Sequence, residues 1–120
     1  MVERDFNDAH LSAILKAASD PSRRRILTLL VQEGPMRVTE LAGHFDVSLN
    51  AVSKHIKVLE AAGLVSRLKE WRDHVIRAEL GPLNEIDHWF KQLRWAWDAR
   101  LEKLDQLMTQ GDTDNDHDSQ

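Results

Sequence analysis

Residues 39–63 read TELAGHFDVSLNAVSKHIKVLEAAG, and this stretch decides the fold. Its first part, residues 39–45, predicts a short helix for which Thr39 is the expected cap. Asp46-Val47 then predicts a tight turn. Ser48 is the expected cap of a longer helix that ends near Ala62, because the next residue is Gly63, a common helix terminator. Two helices joined by a short turn predict a helix-turn-helix.

The segments on either side extend this unit. Apolar residues at helical spacing predict a helix over about residues 10–18, and Asp20-Pro21-Ser22 begins another that stops near residue 34. Residues 64–69 and 74–80 alternate with a period of two, which predicts a β-hairpin with charges at its tip. A last helix is expected after Gly81-Pro82, running to about Met108. The expected fold class is mainly α with a small β-hairpin (α+β): a winged helix-turn-helix of five helices plus a two-stranded wing.

The charge is unevenly distributed along the chain. The formal net charge is −4, which by itself argues against a nucleic-acid partner. Residues 48–77, however, hold six basic and three acidic residues, a local net charge of +3. Four aspartates lie in the last ten residues. We therefore expect residues 1–108 to form the winged helix-turn-helix domain and residues 109–120 to form an acidic, disordered tail.

The predicted helix over residues 48–62 separates into two faces. Val52, Ile56 and Leu59 fall on one side of a helical wheel and are expected in the core. The other side is polar and basic, which suits hydrogen bonds to base edges and contacts with phosphates in a major groove. Basic residues of the hairpin would lie along the DNA backbone or enter the minor groove. The candidate DNA-binding residues are Asn50, Ser53, Lys54, His55, Lys57, Arg67, Lys69 and Arg72.

Two further residues of this helix, His55 and Leu49, lie outside its clearly polar face. His55 lies between the two faces, so it could contact a phosphate or pack against the preceding short helix. Leu49 projects toward the core side of the wheel and is expected to be a buried first-turn leucine.

Residues 15–27, 38–42 and 48–64 together resemble the ArsR/SmtB family of winged helix-turn-helix repressors, and the similarity covers roughly residues 9–80. The resemblance implies a homodimer joined by the first and last helices, which represses by occupying an operator. Such a dimer would read an inverted repeat. The last helix carries a continuous apolar stripe that fits this interface better than a ligand pocket. The candidate dimer-interface residues are Leu11, Ile14, Leu15, Trp89, Phe90, Leu93, Trp97, Leu101 and Leu104.

The sequence departs from the family where many members sense metals. It contains no cysteine, and Asp87 and His88 on the last helix are adjacent, although a chelating pair needs a spacing of three or four. We therefore expect no metal site and no cofactor, with double-stranded DNA and a second copy of the chain as partners. Any small-molecule or protein effector remains open, as does a site between subunits built from His10, His44 or His74.

Other classes of function have little support in the sequence. No serine elbow, glycine-rich phosphate loop or metal-activating cluster occurs, so we expect no enzyme and no catalytic residue. No stretch is long and apolar enough to span a membrane, and the polar, acidic start is unlike a secretory signal, so a cytoplasmic location is expected. One alternative is a winged-helix module for protein contacts through the hairpin or the face bearing Trp95. Another is a metal- or ligand-responsive regulator whose site the sequence does not reveal.

Overall fold

The computed structural model describes the backbone of residues 2–119 and the side chains of residues 8–109. Across that backbone, the elements follow in this order: α1 (Val2–Ala18), α2 (Pro21–Glu33), β1 (Met36–Arg37), α3 (Val38–Ala42), α4 (Leu49–Ala61), β2 (Val65–Glu70), β3 (Asp73–Ala78) and α5 (Leu83–Ser119). The predicted winged helix-turn-helix with five helices is confirmed. The chain divides into two compact units, one up to Ile86 and one from Asp87 onward.

The capping residues of α2 and α4 are those that the sequence predicts. The Asp20 carboxylate accepts a hydrogen bond of 3.0 Å from the backbone N–H of Arg23, and Pro21 is the first helical residue. The Ser48 hydroxyl accepts a bond of 3.2 Å from the N–H of Ala51. Each bond satisfies a backbone donor that has no partner inside the first helical turn. Both helices therefore begin where their caps place them.

The boundaries of α3 differ from the prediction. The helix begins at Val38 and ends at Ala42, so the predicted range of 39–45 with Thr39 as the cap is wrong. Its start is fixed by Glu40, whose carboxylate accepts a bond of 3.4 Å from the N–H of Arg37. After Ala42 the chain leaves the helix, and the Phe45 N–H donates to the Ala42 carbonyl in a turn. The connection to α4 is therefore longer than the two-residue turn expected.

The end of α5 also differs. The sequence predicts a helix end near Met108 and a disordered tail over residues 109–120, whereas the helical backbone continues to Ser119. No proline follows Pro82 to interrupt the helix, and each further residue adds one backbone hydrogen bond. The side chains of residues 110–120 and the backbone of Gln120 lie outside the described part of the chain.

The wing has one strand more than predicted. The described strands form a three-stranded antiparallel sheet in the order β1-β3-β2. Strand β1 pairs Met36 with Ile76 on β3, while the β2–β3 register closes at Glu70 and Asp73. With only two residues, β1 is too short to show an alternating pattern, so the prediction of a two-stranded wing missed it.

The core is built from every element around the helix-turn-helix. Val52, Ile56 and Leu59 of α4 are fully buried, as the helical wheel predicts. The other buried hydrophobic residues are Ile14, Ala17, Ile26, Leu30, Met36, Leu41, Ala62, Leu64, Val65 and Ile76. Ile14, a predicted dimer-interface residue, has 0% exposure and belongs to the core of its own chain.

Candidate nucleic-acid interface

Helix α4 turns a polar, basic face away from the core. Asn50, Lys54 and Lys57 are exposed and Ser53 is half-buried, opposite the three buried residues that anchor the helix. The first turn of α4 contains no acidic residue. Since a helix N-terminus carries partial positive charge, this end of α4 and its two lysines together favour an anionic partner.

His55 of α4 contacts side chains at the start of α2. The His55 side chain is 26% exposed, and an Arg23 guanidinium N–H donates to its Nδ1 over 3.4 Å. The same Arg23 donates to the carbonyls of Ala17 at 2.7 Å and Lys16 at 3.1 Å, at the end of α1. The contacts of His55 with Arg23 and Asp20 therefore tie α4 to the start of α2.

The Asp20 carboxylate completes this group of side chains. It lies 3.9 Å from His55 Nδ1. The hydrogen bond from the Arg23 backbone N–H holds the pKa of Asp20 below its usual value, and the positive charge of the Arg23 guanidinium lowers it further. Asp20 therefore caps the start of α2 and also places a negative charge next to His55 of α4.

The connection between α3 and α4 is also held by α2. The Arg25 guanidinium donates a bond of 3.1 Å to the carbonyl of His44. It also lies 4.8 Å from the centre of the Phe45 ring, within the range of a cation–π contact. These two contacts hold the connection between α3 and α4 against α2.

A cleft of ≈ 220 Å³ lies between the starts of α3 and α4 and the wing. It is lined by Arg37, Val38, Thr39, Leu49, Ser53, Arg67, Arg72, Asp73 and His74. Leu49 is 48% exposed at its edge, so the expectation of a buried leucine is wrong. A helical wheel gives the direction of a side chain, but at the first residue of α4 that direction points past the core.

The basic residues of the wing differ in their partners. Arg67 Nε lies 3.6 Å from Glu60 Oε2, and Arg37 Nε lies 3.5 Å from Asp73 Oδ2. Lys69 and Arg72 are both predicted DNA contacts. Among the described residues, neither of them has an ion pair. These two cations are therefore the ones that the wing leaves available to a partner.

Sequence reasoning missed one residue of the wing, Trp71. It occupies the turn between β2 and β3, is 95% exposed and has a φ of +58°. The sequence could have indicated this residue. The two-residue turn of a hairpin usually requires glycine, asparagine or aspartate, so a tryptophan in it is unusual.

Helix α5 presents an apolar face within the second unit. Phe90, Leu93, Trp97, Leu101 and Leu104 are all exposed. Half-buried Trp89 stacks on Phe90, with ring centres 5.3 Å apart. In α1, Leu11 is half-buried and Leu15 is exposed. Apart from Ile14, the candidate dimer residues therefore keep accessible surface.

The histidines form no visible metal centre. Within residues 8–109, no group of three or more His, Asp or Glu side chains is close enough to hold a metal ion. His10 is engaged inside the chain, where its Nδ1 lies 2.7 Å from the Glu85 carboxylate. In the same part of the chain, no helix is long and apolar enough to cross a bilayer.

A helix-turn-helix with an exposed basic second helix, beside an antiparallel wing, defines the class of winged helix-turn-helix DNA-binding proteins. A helix-turn-helix domain family matches residues 18–67. The transcriptional repressor SdpR of Bacillus subtilis is 39% identical over 56 residues, which are 47% of this chain and 61% of SdpR. The matched segment thus spans less than two thirds of that relative.

Solved structures extend the likeness over most of the chain. An ArsR-like transcriptional regulator from a Rhodococcus species superimposes with a TM-score of 0.72 at 33% identity, covering 82% of this chain and 92% of that one. A homodimeric winged helix-turn-helix DNA-binding domain from Mycobacterium bovis, a possible ArsR-family regulator, gives a TM-score of 0.56 at 23% identity. It covers 75% of this chain and 80% of that one, and shows the fold alone. This chain belongs to the ArsR family of helix-turn-helix transcriptional regulators.

Proposed function

We propose that this chain binds a specific double-stranded DNA operator as a homodimer and represses transcription there. The observation that carries the proposal is the division of α4 into a buried apolar side and an exposed basic side. With its back fixed to α2 and the core, α4 fits a major groove as a recognition segment over about residues 48–62. Asn50 and Ser53 would contact base edges, and Lys54 and Lys57 would neutralise phosphates.

In this proposal the wing, about residues 64–80, lies on the backbone or in the minor groove beside α4. Lys69 and Arg72 make those contacts most directly, because they have no ion pair in the described part of the chain. Arg67 contributes by exchanging its 3.6 Å contact with Glu60 for a phosphate. His55 acts indirectly, by holding α4 against the start of α2.

The homodimer is supported by apolar surface that a single chain leaves uncovered. In this proposal residues 1–108 form one domain, and α1 and α5 supply the dimer interface. The Mycobacterium bovis neighbour described as homodimeric has the same fold. Two recognition helices related by a two-fold axis reach successive major grooves about 34 Å apart, so the operator would be an inverted repeat. We place this regulator in the cytoplasm, with the DNA it controls.

The test compares two double variants that remove the same charge. Duplexes are first selected from a random library with the full chain, and affinity is then measured by fluorescence anisotropy over a series of salt concentrations. We expect Lys54→Ala/Lys57→Ala to weaken binding and to reduce the slope of log K against log[salt] by about 4, since the homodimer loses four phosphate contacts of about 0.9 each. The control, Lys91→Ala/Lys103→Ala, removes two exposed lysines of α5 and should leave the slope unchanged.

Two results would contradict the proposal. The selection could enrich no sequence over random duplex, or the α4 variant could keep the full salt slope and the full affinity. If the α4 variant lost DNA binding but still complemented a deletion strain, the wing or the Trp95 face would instead be a surface for protein contacts.

A further inference from the structure

The tip of the wing carries a large apolar side chain that the fold leaves uncovered. Trp71 is 95% exposed and has a φ of +58°, a left-handed conformation that glycine adopts freely and bulky residues avoid. The Glu70–Asp73 pair closes the hairpin directly beneath it, so glycine would form the same turn without strain. An exposed indole on a strained backbone gains nothing from the fold, which indicates a contact made outside the chain.

The charges around the tip select the kind of partner. Lys69 lies near the end of β2 and Arg72 is the second residue of the turn, and neither has an ion pair among the described residues. The carboxylate of Asp73 is already held 3.5 Å from Arg37. Glu70 is the remaining acidic residue, so two cations face one anion at the tip. An aromatic ring between cations suits a polyanion that also offers apolar surface, which nucleic acid does through its sugars and bases.

The position of the tip relates it to α4. Arg72, the residue after Trp71, lines the same cleft as Ser53 of α4. The wing tip and the polar face of α4 therefore lie on one side of the first unit. A duplex that occupies the α4 face would continue past the wing tip.

We propose that Trp71 is a DNA contact whose indole enters the minor groove beside the segment bound by α4. There it packs against sugars and base edges and bends the duplex at an easily unstacked pyrimidine–purine step, while Lys69 and Arg72 hold the adjacent phosphates. The wing thus contributes to the choice of site through the deformability of the flanking sequence. This inference rests on the proposed function, because it needs α4 to dock on DNA first.

The decisive variant is Trp71→Gly, since glycine relieves the positive φ and removes the indole together. With selected duplexes and the full chain, we expect affinity to fall about tenfold, which is about 1.4 kcal/mol, and the bend measured by end-to-end energy transfer to decrease. The thermal midpoint of the free protein should stay the same or rise by about 4 °C. Affinity and stability would then change independently, which a structural role for Trp71 does not allow.

A second measurement uses flanking sequence as the probe. Each selected duplex is made with a TA step or with a GC-rich segment where the wing lies. The wild type should prefer the TA duplex, and Trp71→Gly should bind both equally. Trp95→Ala is the matched control, because it removes another exposed tryptophan, on α5, and should keep both the affinity and the flank preference.

Three results would overturn the inference. Trp71→Gly could bind and bend DNA like the wild type, or it could lower the thermal midpoint together with affinity. The wild type could also show no flank preference. In each case the lysine variants of α4 would still report on the proposed function, so the two failures are distinguishable. A wild type that binds no duplex above random would overturn both.

Discussion

Helices α4 and α5 are both amphipathic, and they differ in what covers their apolar sides. Ile56 and Leu59 of α4 are fully buried within their own chain. In α5, Leu93 is 50% exposed and Trp97 is 62% exposed. The apolar side of α4 is thus used to hold the helix, which leaves its polar side for binding. The apolar side of α5 remains available, and a second copy of the chain is the partner that we propose for it.

The largest effect is expected from shortening a buried side chain of α4. Ile56→Ala should lower the free energy of unfolding by about 2–5 kcal/mol, because it removes buried methyl groups and leaves a cavity. Val58→Ala, on the exposed side of the same helix, should lower it by less than about 1 kcal/mol. Urea denaturation at one protein concentration measures both. Equal losses in the two variants would show that α4 is not held by its apolar side.

A smaller effect, and one of a different kind, is expected in α5. Leu93→Ala should weaken the dimer by about 3 kcal/mol over its two copies, roughly 100-fold in the dissociation constant. Helix content by circular dichroism should be unchanged at concentrations where the protein remains dimeric. Sedimentation equilibrium measures the dissociation constant, with Lys91→Ala as the control. An unchanged constant for Leu93→Ala would place the dimer interface elsewhere.

The smallest effect is expected from Asp20, the cap of α2, on the pH dependence of the free energy of unfolding. The pKa of Asp20 is lower in the folded chain than its ordinary value of 3.8, so its ionised form adds stability above that value. This contribution is lost as the pH falls through the folded pKa. Asp20→Asn keeps the cap but cannot ionise, so its unfolding free energy should depend less steeply on pH in the acid range.

Urea denaturation from pH 7 down to acid conditions measures this difference. Asp46→Asn, which removes an exposed carboxylate from the connection between α3 and α4, is the matched control. Parallel acid profiles for the wild type and Asp20→Asn would mean that the carboxylate has no such role.

The sequence predicts those features that depend on neighbouring residues. Asp20 and Ser48 are caps because a short polar side chain satisfies the backbone of its own helix, and both caps are confirmed. The buried face of α4 follows from helical spacing alone. The division of that helix into a buried apolar side and an exposed polar side could therefore be predicted from the sequence alone.

The missed features depend on residues distant in sequence. Strand β1 exists because Met36 pairs with Ile76, and two residues give no pattern of their own. Ile14 is buried, and Leu49 exposed, because of what the other elements cover. His55 finds its partners on α2, which a wheel of α4 does not show. Trp71 is the exception, since a tryptophan in a two-residue hairpin turn was a local signal.

Strand β1 leads directly into α3, and the same two residues pair with β3 of the wing. The wing and the helix-turn-helix therefore share one stretch of backbone, which couples the position of one to that of the other. If the wing and α4 both contact DNA, as we propose, this coupling fixes the distance between their two contact points. In the proposed complex, inserting a single base pair between the DNA segments bound by α4 and by the wing would put them out of phase, because α3 follows β1 with no residue between them.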